Sequence, residues 1–277
     1  MTGGAVRAGT VEGAGVSLAF GEHGEGERLV LVHGTGVGRA IWDEVVDVLG
    51  EGWRAIAYDR RAYGESEAPD PYRGSTVAEQ AEDTAALIEG LGAAPALVCG
   101  HELGALVALD LLWRHRGLVH GAVLVEPPVL ALSIEGPAVV SSLREAIEEG
   151  AREGDDPAAG AADAYLLETA GEAAFDLLGI ERMASARAAG HALAADLVAA
   201  PTYAFVRSDL RALDAPVAVM AGVGTGHVRR EVARALVDLL PDATLHEPEA
   251  GHLVPVEAPD AVVDAVREVG RRSAARE

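Results

Sequence analysis

Lysine is absent from this chain, so its 22 basic residues are all arginines, set against 44 acidic ones for a formal net charge of −22. A surface of that sign repels phosphate backbones and anionic headgroups, which argues against nucleic-acid and membrane partners. The acidity reads as a solubility feature rather than a device for steering cationic substrates. Cysteine is nearly absent as well: Cys99, in the apolar run ALVCG, has no partner for an internal disulfide and reads as buried core. Aromatic residues make up only 4%, so Ala, Val and Leu must do most of the packing. No apolar run is long enough to span a bilayer, and the opening MTGGAVRAGTVEGAG has no apolar signal core. The expected location is cytoplasmic.

What is present is a chain of 277 residues, 49% hydrophobic, enough for one large domain or a core with an insertion. Apolar runs at 28–34, 54–59, 96–100, 121–127 and 216–222 alternate with helical periods at 39–49, 75–91, 103–115 and 229–239. Strands this apolar, separated by helices, predict a mostly parallel sheet covered on both faces, an α/β fold. VSLAFGEHG predicts an antiparallel opening strand, and ATLHEP a last strand followed by a helix from Ala258. Between about 129 and 212 the alternation stops. That stretch, rich in Ala, Glu, Leu and Arg, reads as several helices around a polar loop, EEGAREGDDPAAG. The expected organisation is a core at 1–128 and 213–277, with a helical lid at 129–212.

Ligands of open parallel sheets bind beyond the carboxyl ends of the strands. Four polar segments fall there: HGTG (His33–Gly36), DRRAYGES, GHELG (Gly100–Gly104) and EAGHLVPVEAPD. In this order, and with a helical insertion before the last two strands, they resemble the α/β-hydrolase family over residues 29–269. In that family, G-x-S-x-G presents a nucleophile on a sharp strand-to-helix turn. Here Gly100 and Gly104 hold the glycine positions and Glu102 replaces the serine. The resemblance implies an oxyanion hole from the amides of Thr35 and Leu103, His252 as the catalytic histidine, and no cofactor. His33, Gly34, Gly36 and His101, which flank these positions, become candidate substrate contacts. The stretch HELGA is not a zinc site, because Ala105 stands where a second histidine would be needed, and no Cys/His cluster occurs elsewhere.

The usual acid position, in GVGTGHV, holds Thr225 rather than a carboxylate. Glu126, in LVEPP, stands where family members with a displaced acid carry it, the layout of haloalkane dehalogenases. It either orients His252 or caps a strand end. A carboxylate at the turn suits displacement at an sp³ carbon, with His252 activating the water that cleaves the ester. Glu is longer than the family's Asp by about 1.5 Å, one C–C bond. A second reading therefore makes Glu102 a general base with His252, for a lyase, isomerase or cyclisation reaction. A third makes the pair a retired site in a ligand-binding protein or an esterase relative. Whether Glu102 is native or an engineered exchange for serine is not legible.

Epoxide hydrolases supply an acid from lid tyrosines, and Tyr165 and Tyr203 are the tyrosines of the insertion, each also readable as a packing residue. Leu103, where dehalogenases carry a halide-binding Trp, argues against dehalogenation. Trp42 and Trp113 read as core, and His227 as exposed. The leading expectation is an epoxide-hydrolase-like enzyme acting on a small to medium, apolar molecule. The oligomeric state stays open, a homodimer among the options.

Overall fold

Eight strands form one sheet in the computed structural model, which describes residues 7–153, 155–203 and 205–276. Residues 1–6 of the expected first core segment, and residue 154 of the expected polar loop, lie outside these. The chain enters through β1 (Arg7–Glu12) and β2 (Ser17–His23), then runs β3 (Gly26–Val32), α1 (Asp43–Leu49) and β4 (Gly52–Tyr58). Next come α2 (Val77–Gly90), β5 (Ala96–His101), α3 (Leu103–Arg114) and β6 (Val119–Val125). Helices α4 (Gly136–Glu153), α5 (Pro157–Ala170), α6 (Ala173–Ala188), α7 (Gly190–Thr202) and α8 (Arg207–Leu210) follow. The sheet resumes with β7 (Val217–Met220), α9 (His227–Leu239) and β8 (Ala243–His246), and the chain closes with α10 (Val254–Glu257) and α11 (Pro259–Ala274).

The spatial order is β1-β2-β4-β3-β5-β6-β7-β8, with β3 through β8 parallel and β2 antiparallel to both of its neighbours. Alternation along the parallel strands divides the interior into two cores. Val30, Val32, Val98, Ala122, Leu124, Val217 and Val219 face one side, where Val77, Leu106, Val232 and Leu236 of α2, α3 and α9 cover them. Leu29, Leu31, Leu97, Cys99, Val123, Val125, Ala218 and Met220 face the other, against Val45, Val262, Val266 and Val269 of α1 and α11. Both faces are dry, which is why these strands read as continuous apolar runs. The connection reverses at β3, which has β4 on one side and β5 on the other. A crevice opens at such a switch point beyond the strand ends.

Three expectations are corrected. β1 was not anticipated, because RAGTVE pairs along the sheet edge with exposed side chains and carries no apolar alternation. The expected polar loop at 148–160 is mostly helix: α4 continues to Glu153, and Asp156 starts α5 by accepting the amides of Ala158 and Ala159, with Pro157 at the first helical position. The Asp-Pro pair is thus a helix start. Trp113 is not core. It is 40% exposed in the last turn of α3 and meets Phe205 edge-on. Trp42 is fully buried.

The turn between β5 and α3 requires the closest backbone approaches. A Cβ on Gly104 would lie 2.1 Å from the Val32 carbonyl oxygen, and one on Gly100 would lie 2.1 Å from the Gly104 carbonyl oxygen. Both obstacles are backbone and cannot swing away. Gly104→Ala is expected to cost about 3 kcal/mol, the upper part of the overpacking range. Urea unfolding reads it directly, and an unchanged midpoint would contradict this packing.

Candidate active site

Glu102 stands between β5 and α3 with φ 50° and ψ −118°, a conformation that L-residues avoid. The turn is held by the Glu102 amide donating to the Val125 carbonyl at 2.8 Å and by the Ala105 amide donating to the Glu102 carbonyl at 2.8 Å. The side chain is 6% exposed. Its Oε2 accepts the Thr35 amide at 3.0 Å and the Leu103 amide at 2.5 Å. The sequence was read as giving these two amides to the substrate; the structure gives them to one oxygen of Glu102, whose extra methylene lets the carboxylate fold back onto them. Oε1 takes no hydrogen bond among the described residues. The N-terminus of α3 adds a favourable dipole.

Glu126 directly follows β6 in a second positive-φ conformation, φ 53°, and is 1% exposed. Its Oε1 accepts the Gly222 amide at 2.8 Å. Its Oε2 accepts the Thr225 hydroxyl at 3.0 Å and lies 3.5 Å from His252 Nδ1. The threonine at the usual acid position thus holds an acid supplied by the neighbouring strand. Burial raises the Glu126 carboxyl above its usual range, with Arg229, the Gly222 amide and the Thr225 hydroxyl opposing.

His252 is pushed down to about 3, by burial first and by Arg229 second, against the charge of Glu102. It is neutral in ordinary buffers. With Nδ1–H directed at Glu126, Nε2 keeps its lone pair and is fitted to accept a proton. His101 donates Nε2–H to the His252 carbonyl at 3.0 Å, and burial together with His252 lowers it to about 4. His33 Nε2 accepts the Arg60 amide at 2.9 Å, so Nδ1 carries the proton and donates to the Gly34 carbonyl at 2.8 Å. These two histidines brace loops and do not line the pocket. Gly34 packs on Glu102 and His101, where a Cβ would lie 2.8 Å from Glu102 Cβ. Gly36, at φ +70°, leaves room for the Tyr165 ring.

The pocket is lined by Thr35, Glu102, Tyr165, Asp196, Arg144 and Arg229, with an apolar remainder that includes Leu130, Val139, Leu143 and Leu197. Its cavity is narrow in this structure, about 40 Å³. Tyr165 Oη is buried and has no hydrogen-bond partner among the described residues. Burial and the charge of Glu102 raise the phenol well above its usual value, so it stays protonated. Tyr203 lies elsewhere: its hydroxyl donates to Asp110 on α3, and its ring packs against Phe205. His252 is 3% exposed and is not among the residues that line the pocket, but the charge of Glu102 acts on it. His227 pairs with Glu135 on the surface.

Three residues of this region, Asp196, Arg229 and Arg144, were not singled out from the sequence. Asp196 on α7, 1% exposed, accepts both terminal nitrogens of Arg60 (2.7 and 3.1 Å), the Tyr63 hydroxyl (2.7 Å), the Thr35 hydroxyl (3.1 Å) and the Gln80 amide (3.2 Å). A lone acid in the apolar stretch HALAADLVAA was the available signal. Arg229 was read only as the start of a helix.

The sequence model of the alpha/beta hydrolase family matches residues 29–265. The chain belongs to that family. A Mycobacterium tuberculosis protein named as a non-heme bromoperoxidase, BpoC, is 37% identical over 112 residues, 40% of this chain and 42% of that protein. Epoxide hydrolase B of the same species is 30% identical over 113 residues, 40% of this chain and 32% of that enzyme. In both cases less than half of the relative's length is matched. A thermophilic esterase from Thermogutta terrifontis superposes with a TM-score of 0.79, covering 96% of this chain and 99% of that one; at 24% identity the likeness is one of fold.

Two outcomes follow from the buried charges. Asp196→Ala would strand the Arg60 guanidinium and is expected to cost about 3–5 kcal/mol in chemical denaturation; a loss below about 1 kcal/mol would show that Arg60 re-solvates freely. The depressed histidines make the fold acid-sensitive. Between the unfolded value near 6.5 and the folded value of about 3, His252 binds a proton only when the chain unfolds, so stability falls as pH drops through that window. At about pH 5 this costs about 2 kcal/mol from His252, and His101 and His33 act in the same direction. Glu126, raised instead, works oppositely, losing stability as pH rises through its own window. A urea midpoint that is flat from neutral pH to about pH 5 would contradict neutral buried histidines.

Proposed function

We propose that the protein is a cofactor-independent, epoxide-hydrolase-like hydrolase in which Glu102 is the nucleophile and His252 the base. The observation that carries this reading is the division of labour between the Glu102 oxygens. Oε2 rests on the Thr35 and Leu103 amides, which leaves Oε1 without a partner in a pocket that also presents the unpartnered Tyr165 hydroxyl. A nucleophile and an acid thus share one apolar chamber, as ring opening requires.

In the first step Oε1 attacks a carbon of the epoxide, the C–O bond breaks, and Tyr165 gives its proton to the departing oxygen. The product is an alcohol joined to Glu102 as an ester, with the ester carbonyl at Oε2. In the second step His252 takes a proton from water through Nε2, and the hydroxide adds to Cδ of Glu102. Negative charge then develops on Oε2, already seated on its two amides, which is where preorganised donors act most strongly. Collapse of the intermediate releases the diol, whose alkoxide recovers a proton from His252, and leaves Glu102 as a carboxylic acid; loss of that proton to solvent, and its uptake by the Tyr165 phenolate, restores both groups. Glu126 holds His252 in the productive tautomer and steadies the imidazolium that forms transiently. Helices α4, α5 and α7, which supply much of the wall, act as the cap that excludes bulk water.

The epoxide hydrolase and esterase names among the relatives agree with hydrolysis as the reaction class. Plain ester cleavage is a poorer match, because a carboxylate attacking an acyl group would form a reactive anhydride. The test is the intact mass of His252→Gln protein after exposure to panels of epoxides, alkyl halides and esters. An adduct on the peptide containing Glu102 is the expected result, its mass reporting the substrate class. Absence of any adduct with a compound that the unmodified protein turns over would sink the covalent route and leave Glu102 as an acid–base group.

A further inference from the structure

Arg229 is the cation that the proposed reaction does not use. It lies in the first turn of α9 and lines the pocket, and its Nη1 is shielded from solvent with no hydrogen-bond partner among the described residues. A shielded guanidinium N–H without an acceptor costs free energy and marks a missing partner. The carboxylates around it are otherwise engaged. Glu126 takes the Gly222 amide, the Thr225 hydroxyl and His252. Asp196 is matched by Arg60, and Glu102 Oε2 by two amides.

A second arginine, Arg144 on α4, reaches the same pocket from the helical segment and makes no ion pair or hydrogen bond among the described residues. With Asp196 and Arg60 cancelling, the charges left on the wall are one carboxylate, Glu102, and two guanidiniums. With Arg60 and Glu126 counted beside the lining residues the two signs balance, yet Arg229 Nη1 still lacks an acceptor among the described residues. Leu130, Val139, Leu143 and Leu197 make the rest of the wall apolar.

We infer that the substrate is an apolar molecule bearing a carboxylate, which Arg229 binds with Arg144 in support. This rests on the hydrolase reading for what is done to the substrate, and it deepens that reading by naming the substrate class. A guanidinium offers paired N–H groups that match a carboxylate edge, and it stays charged at any working pH. Tyr165 then serves the reacting oxygen, while Arg229 anchors the far end and fixes which carbon meets Oε1.

The experiment is calorimetric titration with hexanoate and with its neutral isostere hexanamide near neutral pH, on the unmodified protein and on Arg229→Gln, Arg229→Lys and Glu102→Gln. Hexanoate is expected to bind at least about tenfold more tightly than hexanamide. The preference should shrink to about twofold in Arg229→Gln and survive in Arg229→Lys, with hexanamide affinity unchanged. Removal of a like charge in Glu102→Gln should tighten hexanoate alone, which places it in this pocket. Equal binding of the two probes by the unmodified protein, or a preference that survives Arg229→Gln, would overturn the inference. The unmodified protein decides the first point even if a variant fails to fold. Turnover is not needed, so hexanoate preference without an adduct on Glu102 would sink only the covalent route, and an adduct without the preference only this inference.

Discussion

A carboxylate buried at the strand ends has to be answered by donors, and here the answer comes from two amides that meet at one oxygen. Leu103 opens α3, while Thr35 follows β3, the adjacent strand of the sheet. Their convergence on Glu102 Oε2 requires β3 and β5 to be neighbours in register, the turn between β5 and α3 to be sharp, and both glycines of that turn to lack side chains. The left-handed backbone at Glu102 is the strain that this arrangement carries. Folding can sustain about 1–3 kcal/mol of such strain because the parallel sheet beneath is buried on both faces.

The Thr35 amide is held in place by a longer chain of contacts. Its side chain donates to Asp196 on α7, and Asp196 in turn neutralises Arg60 in the loop after β4. Arg60 Nη2 also donates to the Gly34 carbonyl, and its amide to His33. The helical segment is thereby keyed into the same loop that forms the amide pair. A buried ion pair of this sort contributes little net stability against an apolar replacement, but separating its members is costly. Docking of α7 and construction of the amide pair are one event in energetic terms, so the helical segment is coupled to the site.

The sheet was legible because both-face burial writes itself into sequence as uninterrupted apolar runs, and the strand-end glycines mark where the backbone must turn. Glu102, Glu126 and His252 were singled out through the resemblance of the strand-end motifs to the family pattern, and the structure brings Glu126 and His252 to 3.5 Å of each other. β1 was not legible, since an edge strand with exposed side chains leaves no periodic trace. Asp196 and Arg229 escaped for a different reason: Asp196 gains its meaning from Arg60, 136 residues away in sequence, and Arg229 from the lack of a partner for Nη1 among the described residues. Tyr165 and Tyr203 looked equivalent in sequence. Only the packing distinguishes them, one set beside Glu102 in the pocket and the other bonded to Asp110.

The neutral histidines complete the electrostatic logic. His33, His101 and His252 are all driven downward by burial, so none competes with the amides for Glu102 as a permanent cation. Had His252 been charged at rest, it would pair with Glu102 and could not accept a proton from water. Arg229 contributes by disfavouring the protonated imidazole while it opposes the upward push of burial on Glu126. Arg229 thus favours neutral His252 and ionised Glu126, the states that the proposed reaction needs. An anionic group seated on Arg229 would weaken that influence, making His252 easier to protonate as it takes the proton from water.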